Sequence, residues 1–586
     1  MKLLFDNDPA KAIESGRTMA VAWFKKLSED AGQIQHIHSF MFRVMAAYWS
    51  AHHLQVSLPA VPSVIKFCDL DSGVIALAEA VGKAAAQLEV IDAGYQLGTL
   101  YTSILPPAIR SANGIFYTPP PLTRRMLSMV KDAGADYASA KFLDPACGGG
   151  AFLAPIVMEI VAALPVTDPE TILTHIEAHV QGFDTDAFGG WLTQIFVETT
   201  LKEYTCPVGR RLKSLVKICD SLSVDLTGDA RFDVIIGNPP YGKVKLTDTV
   251  RERFSEGLYG HANLYSLFIH LSLNLVKTNG IVALLTPTSF LSGEYFKNIR
   301  QLIRSRAAVS EVDFVSHRKG VFDDVLQETM LSVFRNGAVE NKPVSVNEVT
   351  IGKGQLQLTH SGKFNLSSEL TAVWLLPRRK NQCMMIKAMT KMTHNLTSWG
   401  YRVSTGPLVW NRNKSLLTAK QSQNGLPVIW AESITPDGRF EWKAGKKNHM
   451  PYFRRPESNP VLVTVQPCIL LQRTTAKEQH KRLICGYLPA EFIKRTGGVV
   501  VENHLNMIIP SAATQVAPEV LNAFLNSKTV NDAFRCISGS VAVSAFELES
   551  LPLPKASKLN GLSMLVQQGA SGDEIERECR RIYRLK

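Results

Sequence analysis

Between about residues 114 and 345 the chain repeats one pattern: a short apolar run stops on Asp, Asn or Thr and gives way to a stretch with helical spacing. The runs are Lys141-Phe-Leu-Asp144, Val180-Gln-Gly-Phe-Asp184, Val216-Lys-Ile-Cys-Asp220, Phe232-Asp-Val-Ile-Ile-Gly-Asn238 and Ile281-Val-Ala-Leu-Leu-Thr286. Short, nearly continuous apolar runs suit strands covered on both faces. Their alternation with helices predicts an α/β domain built on a doubly wound, mostly parallel sheet. Ligands of such sheets sit outside the carboxyl ends of the strands, so the polar residue closing each run lies on one functional edge.

The 586 residues leave room for more than this domain. Residues 1–105 space apolar side chains three to four apart, as in Val74, Leu77, Ala78, Val81, Ala84, Ala85 and Leu88, and predict a helical accessory region. The sheet domain takes 106–345 and a connector 346–390. A β-containing domain follows over 391–555, with β runs such as Pro460–Val465 and Gly497–Val501, and 556–586 forms a closing helical tail.

Charge is distributed unevenly. The formal net charge is +12, yet residues 378–500 hold 21 Lys and Arg against 6 Asp and Glu, so this segment carries the whole excess. An anionic partner for the β-containing domain is the natural inference, and the aromatic residues Trp410, Trp430, Trp442, Tyr452 and Phe453 among the cations favour nucleic acid. The nine cysteines are scattered, with no CxxC pair, so neither a disulfide framework nor a zinc site is expected. Asp6 and Asp8 come too early for a signal peptide, and no window of about 18 uncharged apolar residues predicts a membrane span. A cytoplasmic protein without a bound metal or membrane contact is expected.

Three groups of strand-end residues carry chemistry. Asp144-Pro-Ala-Cys-Gly-Gly-Gly150-Ala-Phe152-Leu153 places three glycines where a strand turns into a helix, which lets a ligand approach the backbone closely. Taken alone it also fits a tight turn, and no Lys-Ser/Thr follows to make a triphosphate loop. Asp184 ends the next run and can accept from a ribose diol, with Asp186 as its competitor; Asp220 can accept from the exocyclic amine of a bound adenine. The third element is Asn238-Pro239-Pro240-Tyr241. Two prolines stiffen the backbone so that the Asn238 amide oxygen and the Pro239 carbonyl can face one amino group, while Tyr241 offers a ring on which a planar base stacks. Two acceptors on an exocyclic amine favour a pyramidal nitrogen whose lone pair points at an electrophile, which suits methyl transfer from a sulfonium.

These residues resemble the gamma-order amino-group DNA methyltransferases that modify adenine N6 in restriction-modification systems. Their cofactor motif is usually written DPACGSGxFL, with Ser where this chain has Gly149, and Asn-Pro-Pro-Tyr is their catalytic motif. Gly114-Ile-Phe-Tyr117-Thr118-Pro119, Asn263–Phe268, Thr286–Leu291 and Gly320–Thr329 resemble further family segments. The resemblance implies a class I S-adenosylmethionine-dependent fold and a C-terminal target-recognition domain. It implies cofactor contacts from Tyr117, Thr118, Pro119, Asp144, Ala146, Cys147, Gly148, Gly150, Phe152, Asp184, Asp220 and Pro240. Asn238, Pro239 and Tyr241 would act on the target adenine, with Phe322 stacking on the base once it is flipped from duplex DNA. Arg412, Lys414, Arg473, Lys477, Lys481 and Arg482 are expected to contact DNA, most of them at phosphates. A monomer, with a separately encoded endonuclease as its counterpart, is the expected arrangement.

Two other readings compete. Asn-Pro-Pro-Tyr also serves methylation of a protein glutamine amide or an RNA base, although such enzymes typically lack a long basic domain. A DNA-binding specificity protein with a vestigial methyltransferase fold is the other, and the intact Asp144, Asp220 and Asn238–Tyr241 set argues against it.

Overall fold

A computed structural model describes the chain outside residues 1–7, 28–30, 53–55, 107–108, 110–116, 226–230, 317–327, 338–341, 353, 423, 447, 455–461, 475–480, 512, 539–541 and 586. The chain forms two contact units. One comprises Met1–Pro287, Asn298–Ser345 and Val349–Leu358; the other comprises Thr288–Lys297, Val346–Glu348 and Thr359–Lys586.

In the first unit each apolar run becomes a strand: β1 (Phe142–Asp144), β2 (Val180–Asp184), β3 (Val216–Ile218), β4 (Phe232–Gly237) and, after a small β5 (Lys243–Val244) and β6 (Ala262–Asn263) pair, β7 (Val276–Pro287). With β8 (Ala307–Val315), β9 (Thr329–Asn336), β10 (Val344–Gly352) and β11 (Gln355–Phe364) they make a nine-stranded sheet of order β11-β10-β8-β9-β7-β4-β1-β2-β3. Strands β3, β2, β1, β4 and β7 run parallel, while β9 is antiparallel to both β7 and β8. Neighbours β1 and β4 pair Phe142 with Val234 and Leu143 with Ile235. From β1 the chain winds outward to β2 and β3, and from β4 the other way to β7. The order therefore reverses between β1 and β4, and a crevice opens at their carboxyl ends.

The described part of residues 1–105 contains the helices α1 (Pro9–Phe24), α2 (Ala31–Ala51), α3 (Ser72–Ala85) and α4 (Val90–Ile104), with 56–71 irregular between α2 and α3. They are not an appendage: their buried side chains share one hydrophobic core with α5 (Pro120–Asp132), α6 (Leu153–Ala163), α7 (Pro169–His179), α8 (Ala187–Thr200) and the sheet. His38 stacks on Phe188 at 4.7 Å, and the Trp191 indole donates to the Pro59 carbonyl at 2.9 Å. Arg125 on α5 donates to Asp313 at 2.6 Å and Glu311 at 2.7 Å, pinning the helix to β8.

The second unit contains two four-stranded sheets. One orders Tyr401–Thr405, Leu505–Pro510, Cys468–Gln472 and Cys485–Leu488, all antiparallel; the other orders Leu417–Thr418, Tyr452–Arg454, Gly425–Ile429 and Val500–Val501. Two sequence expectations change. The 346–390 connector is no separate piece, since its first residues complete β10 and make β11. The described part of the Pro460–Val465 run forms only a bridge from Thr464 to Val499. The tail holds two helices, Asn560–Gln567 and Gly572–Ile582, because Gly569 between them takes φ +66°, a conformation that ends a helix. No helix among the described residues is long and apolar enough to cross a membrane.

Candidate active site

The crevice between β1 and β4 is a cavity of about 220 Å³. Of the expected cofactor contacts, Tyr117, Thr118, Asp144, Ala146, Cys147, Gly148, Phe152, Asp184, Asp220 and Pro240 line it, as does Asn238. Pro119, Gly150, Pro239 and Tyr241 do not. Pro119 is buried at the N-cap of α5, and Gly150 takes φ +82° against Thr193.

Backbone donors shape the glycine loop. Asp144, 1% exposed, accepts from the Ala146 N–H at 3.0 Å. Asp184 accepts from the Gly148 N–H at 2.7 Å and from the Asp186 N–H at 2.8 Å, and Thr193 donates to the Gly148 carbonyl at 2.7 Å. Gly148 itself takes φ +51°, which a side chain would disfavour. Gly237, the last residue of β4, lets the strands close up: a Cβ there would come within 2.5 Å of Asp144 Oδ1. Asp220 is exposed and caps the turn after β3, accepting from Leu222 N at 3.0 Å and Ser223 Oγ at 2.9 Å.

Four aspartates, Asp144, Asp184, Asp186 and Asp220, thus converge on one cleft, and among the described residues lining it there is no Lys, Arg or His. Burial pushes the Asp144 carboxyl up to about 8 and that of Asp184 to about 6, against the pull of the backbone donors. Such a cleft repels a phosphate and favours a cation with hydroxyl and amine donors.

Asn238 stands at the lip. Its Nδ2 donates to Thr118 Oγ1 at 3.2 Å, and Tyr241 donates its phenol hydrogen to Asn238 Oδ1 at 2.7 Å. The two bonds fix which way the amide faces. The Tyr241 ring is partly buried, edge-on to Tyr265 with centroids 6.2 Å apart. Phe322 and most of Gly320–Thr329 lie outside the described residues, as do Gly114–Phe116 and Lys477.

In the second unit Arg412 and Lys414 are exposed, with the Lys414 ammonium 5.3 Å from the centroid of Trp410. Arg473 is partly buried and donates to the Asn503 carbonyl at 3.3 Å, and Lys481 is half-buried. Arg482 cannot face DNA as expected: it is 3% exposed and donates to Ser538 at 3.3 Å within the unit's interior.

Sequence reasoning left out Ser221, Leu222, Leu264 and Phe268, all lining the cleft. The first two directly follow Asp220, and the others lie in the Asn263–Phe268 segment already singled out, so adjacency was the available signal.

Residues 195–322 match the model of the family described as Eco57I restriction-modification methylase. The type II methyltransferase M.BsuBI of Bacillus subtilis is 25% identical over 343 residues, covering 57% of this chain and 68% of the relative. The type II methyltransferase M.PstI of Providencia stuartii is 25% identical over 351 residues, 58% and 68% of the two chains. Among solved structures, the type IIL restriction-modification enzyme MmeI in complex with DNA aligns with a TM-score of 0.53 at 13% identity, over 98% of this chain and 96% of that one. A nuclease-deletion mutant of the type ISP restriction-modification enzyme LlaGI gives 0.51 at 12% identity, over 97% and 68%. The structural likenesses establish the fold.

Proposed function

We propose that this chain is the modification methyltransferase of a restriction-modification system, transferring a methyl group from S-adenosylmethionine to N6 of an adenine turned out of duplex DNA. The carrying observation is the Asn238 amide, held by Thr118 and Tyr241 at the lip of a cleft lined by four aspartates and no cation. S-adenosylmethionine fits that donor set: it is cationic, and its ribose hydroxyls and adenine amine match carboxylate acceptors at Asp184 or Asp186 and Asp220. Bound there, it supplies an electrophilic methyl on a sulfonium.

The protein contributes alignment and electrostatics. Asn238 Oδ1 and the Pro239 carbonyl accept the two hydrogens of the target amine, and Tyr241 supports the base. Most of the DNA affinity comes from exposed cations of the second unit such as Arg412 and Lys414, acting on phosphates. Incubation of duplex DNA with the chain and labelled cofactor, followed by nucleoside analysis, should yield N6-methyladenine, and Asn238→Ala should abolish it while retaining DNA binding. A methyl group on cytosine would overturn the choice of adenine; transfer only to RNA or protein would overturn the DNA reading.

A further inference from the structure

Helix α4 belongs to the N-terminal region expected to be accessory, yet one of its faces meets the glycine loop. Gly98 and Tyr101, three residues apart, share that face. Tyr101 is 3% exposed, packs on Phe188 with centroids 5.1 Å apart, and donates its hydroxyl hydrogen to Asp186 Oδ2 at 3.1 Å. Two more bonds continue inward: the Asp186 N–H donates to Asp184 Oδ1 at 2.8 Å, and the Gly148 N–H to Asp184 Oδ2 at 2.7 Å. The other Asp186 oxygen caps α8 through the Phe188 N–H at 2.9 Å. Beside this chain of bonds the Tyr117 ring, part of the cleft wall, fills a slot between Gly98 and Gly149, and a Cβ at either glycine would overlap it. The Gly149 departure from the family's Ser therefore coincides with the Tyr117 ring, which is backed on its other side by Gly98 of α4.

We propose that Tyr101 is a positioning residue for the cofactor, acting through Asp186 and Asp184 on the Gly148 turn, so that the N-terminal helices brace the cofactor cleft from behind its lining residues. The proposal rests on the reading of that cleft as the S-adenosylmethionine site. A carboxylate at an open cleft is free to rotate, and fixing it before the ligand arrives removes an ordering cost from binding. The bond is charge-assisted, so its loss is felt.

The test uses the full chain carrying Tyr101→Phe, which keeps the ring and removes the hydroxyl. Calorimetric titration with S-adenosylmethionine should give a Kd about tenfold weaker. KM for the cofactor should rise in parallel, with kcat and KM for duplex DNA within about twofold. Added to Asp186→Asn, the same change should weaken binding by less than about twofold, because the path is already cut. Unchanged cofactor affinity in Tyr101→Phe, with or without a lower Tm, would mark a purely structural tyrosine and overturn the proposal; so would independent, multiplying effects of the two substitutions. If the unsubstituted chain binds no S-adenosylmethionine, the cleft reading itself fails and this proposal with it, a result distinct from a wild-type chain that binds beside an unaffected variant.

Discussion

Thr118→Val tests how the catalytic amide is held. The family resemblance gives Thr118 to the cofactor, but its hydroxyl, 3% exposed, accepts from Asn238 Nδ2 at 3.2 Å. Valine keeps the branched shape and removes the acceptor. Asn238 then loses this partner or turns its amide over, and a turned amide presents N–H donors where the target amine needs an acceptor. Losing a partner of this kind costs about 1–3 kcal/mol. At about 1.36 kcal/mol per decade, kcat should fall about 5- to 150-fold. The amide's orientation matters at the chemical step, so the Kd for S-adenosylmethionine should change less than about threefold. Single-turnover methylation of duplex DNA, with calorimetry for the cofactor, separates the two quantities. A weakened cofactor Kd with an unchanged rate would show Thr118 to be a cofactor contact and refute the clamp. A variant indistinguishable from wild type would refute it as well.

Tyr241→Phe removes the 2.7 Å donor to Asn238 but keeps the ring, so kcat should fall only about 2- to 12-fold, whereas Tyr241→Ala should lose about 1–3 kcal/mol more through lost base stacking; equal losses in a methylation assay would speak against stacking. Because burial lifts the Asp144 carboxyl to about 8 from an ordinary 3.8, the folded apo-chain keeps a proton that the unfolded chain has released between those values. That contribution to stability is fully present below about pH 4 and is lost as pH rises toward 8, so Asp144→Asn should flatten the decline of Tm measured between about pH 5 and 8. A profile unchanged from wild type would exclude Asp144 as its source. Exposed Arg412, changed to Ala, should lower the salt slope of DNA binding by about one, while Arg482→Ala, removing a buried charge beside Glu547, should cost about 3–5 kcal/mol in denaturant unfolding.

The parallel strands were readable because burial on both faces leaves a local trace: Phe232–Gly237 is almost wholly apolar and stops at Asn238. Strand β11 left none. Its sequence, Gln355-Leu-Gln-Leu-Thr-His-Ser-Gly-Lys-Phe364, is mostly polar and largely exposed, and it is a strand by pairing at the sheet's edge. The N-terminal helices were legible as helices but not as part of the site. Periodicity reports that a helix has an apolar face, and what covers that face is a long-range fact. Tyr101 illustrates the gap, since its partner Asp186 lies 85 residues away.

Charge counting met a related limit. A net charge of +15 over residues 378–500 treats every Arg and Lys as available to phosphates, yet Arg378, 9% exposed, donates to Thr288 at 2.9 Å and to the Ile537 carbonyl at 3.1 Å, and Arg482 is also interior. Their neighbours distinguish them from the exposed cations. Arg482 opens the buried run Leu483-Ile-Cys485, and Arg378 closes Val373-Trp-Leu-Leu-Pro377, whereas Arg412 is flanked directly by the polar Asn411 and Asn413. An arginine abutting an apolar run enters the interior with that run and must find oxygen acceptors there. Counterion release counts only cations that meet phosphates. The salt dependence of DNA binding by this chain should therefore follow its exposed cations and fall short of what the segment's 21 basic residues would give.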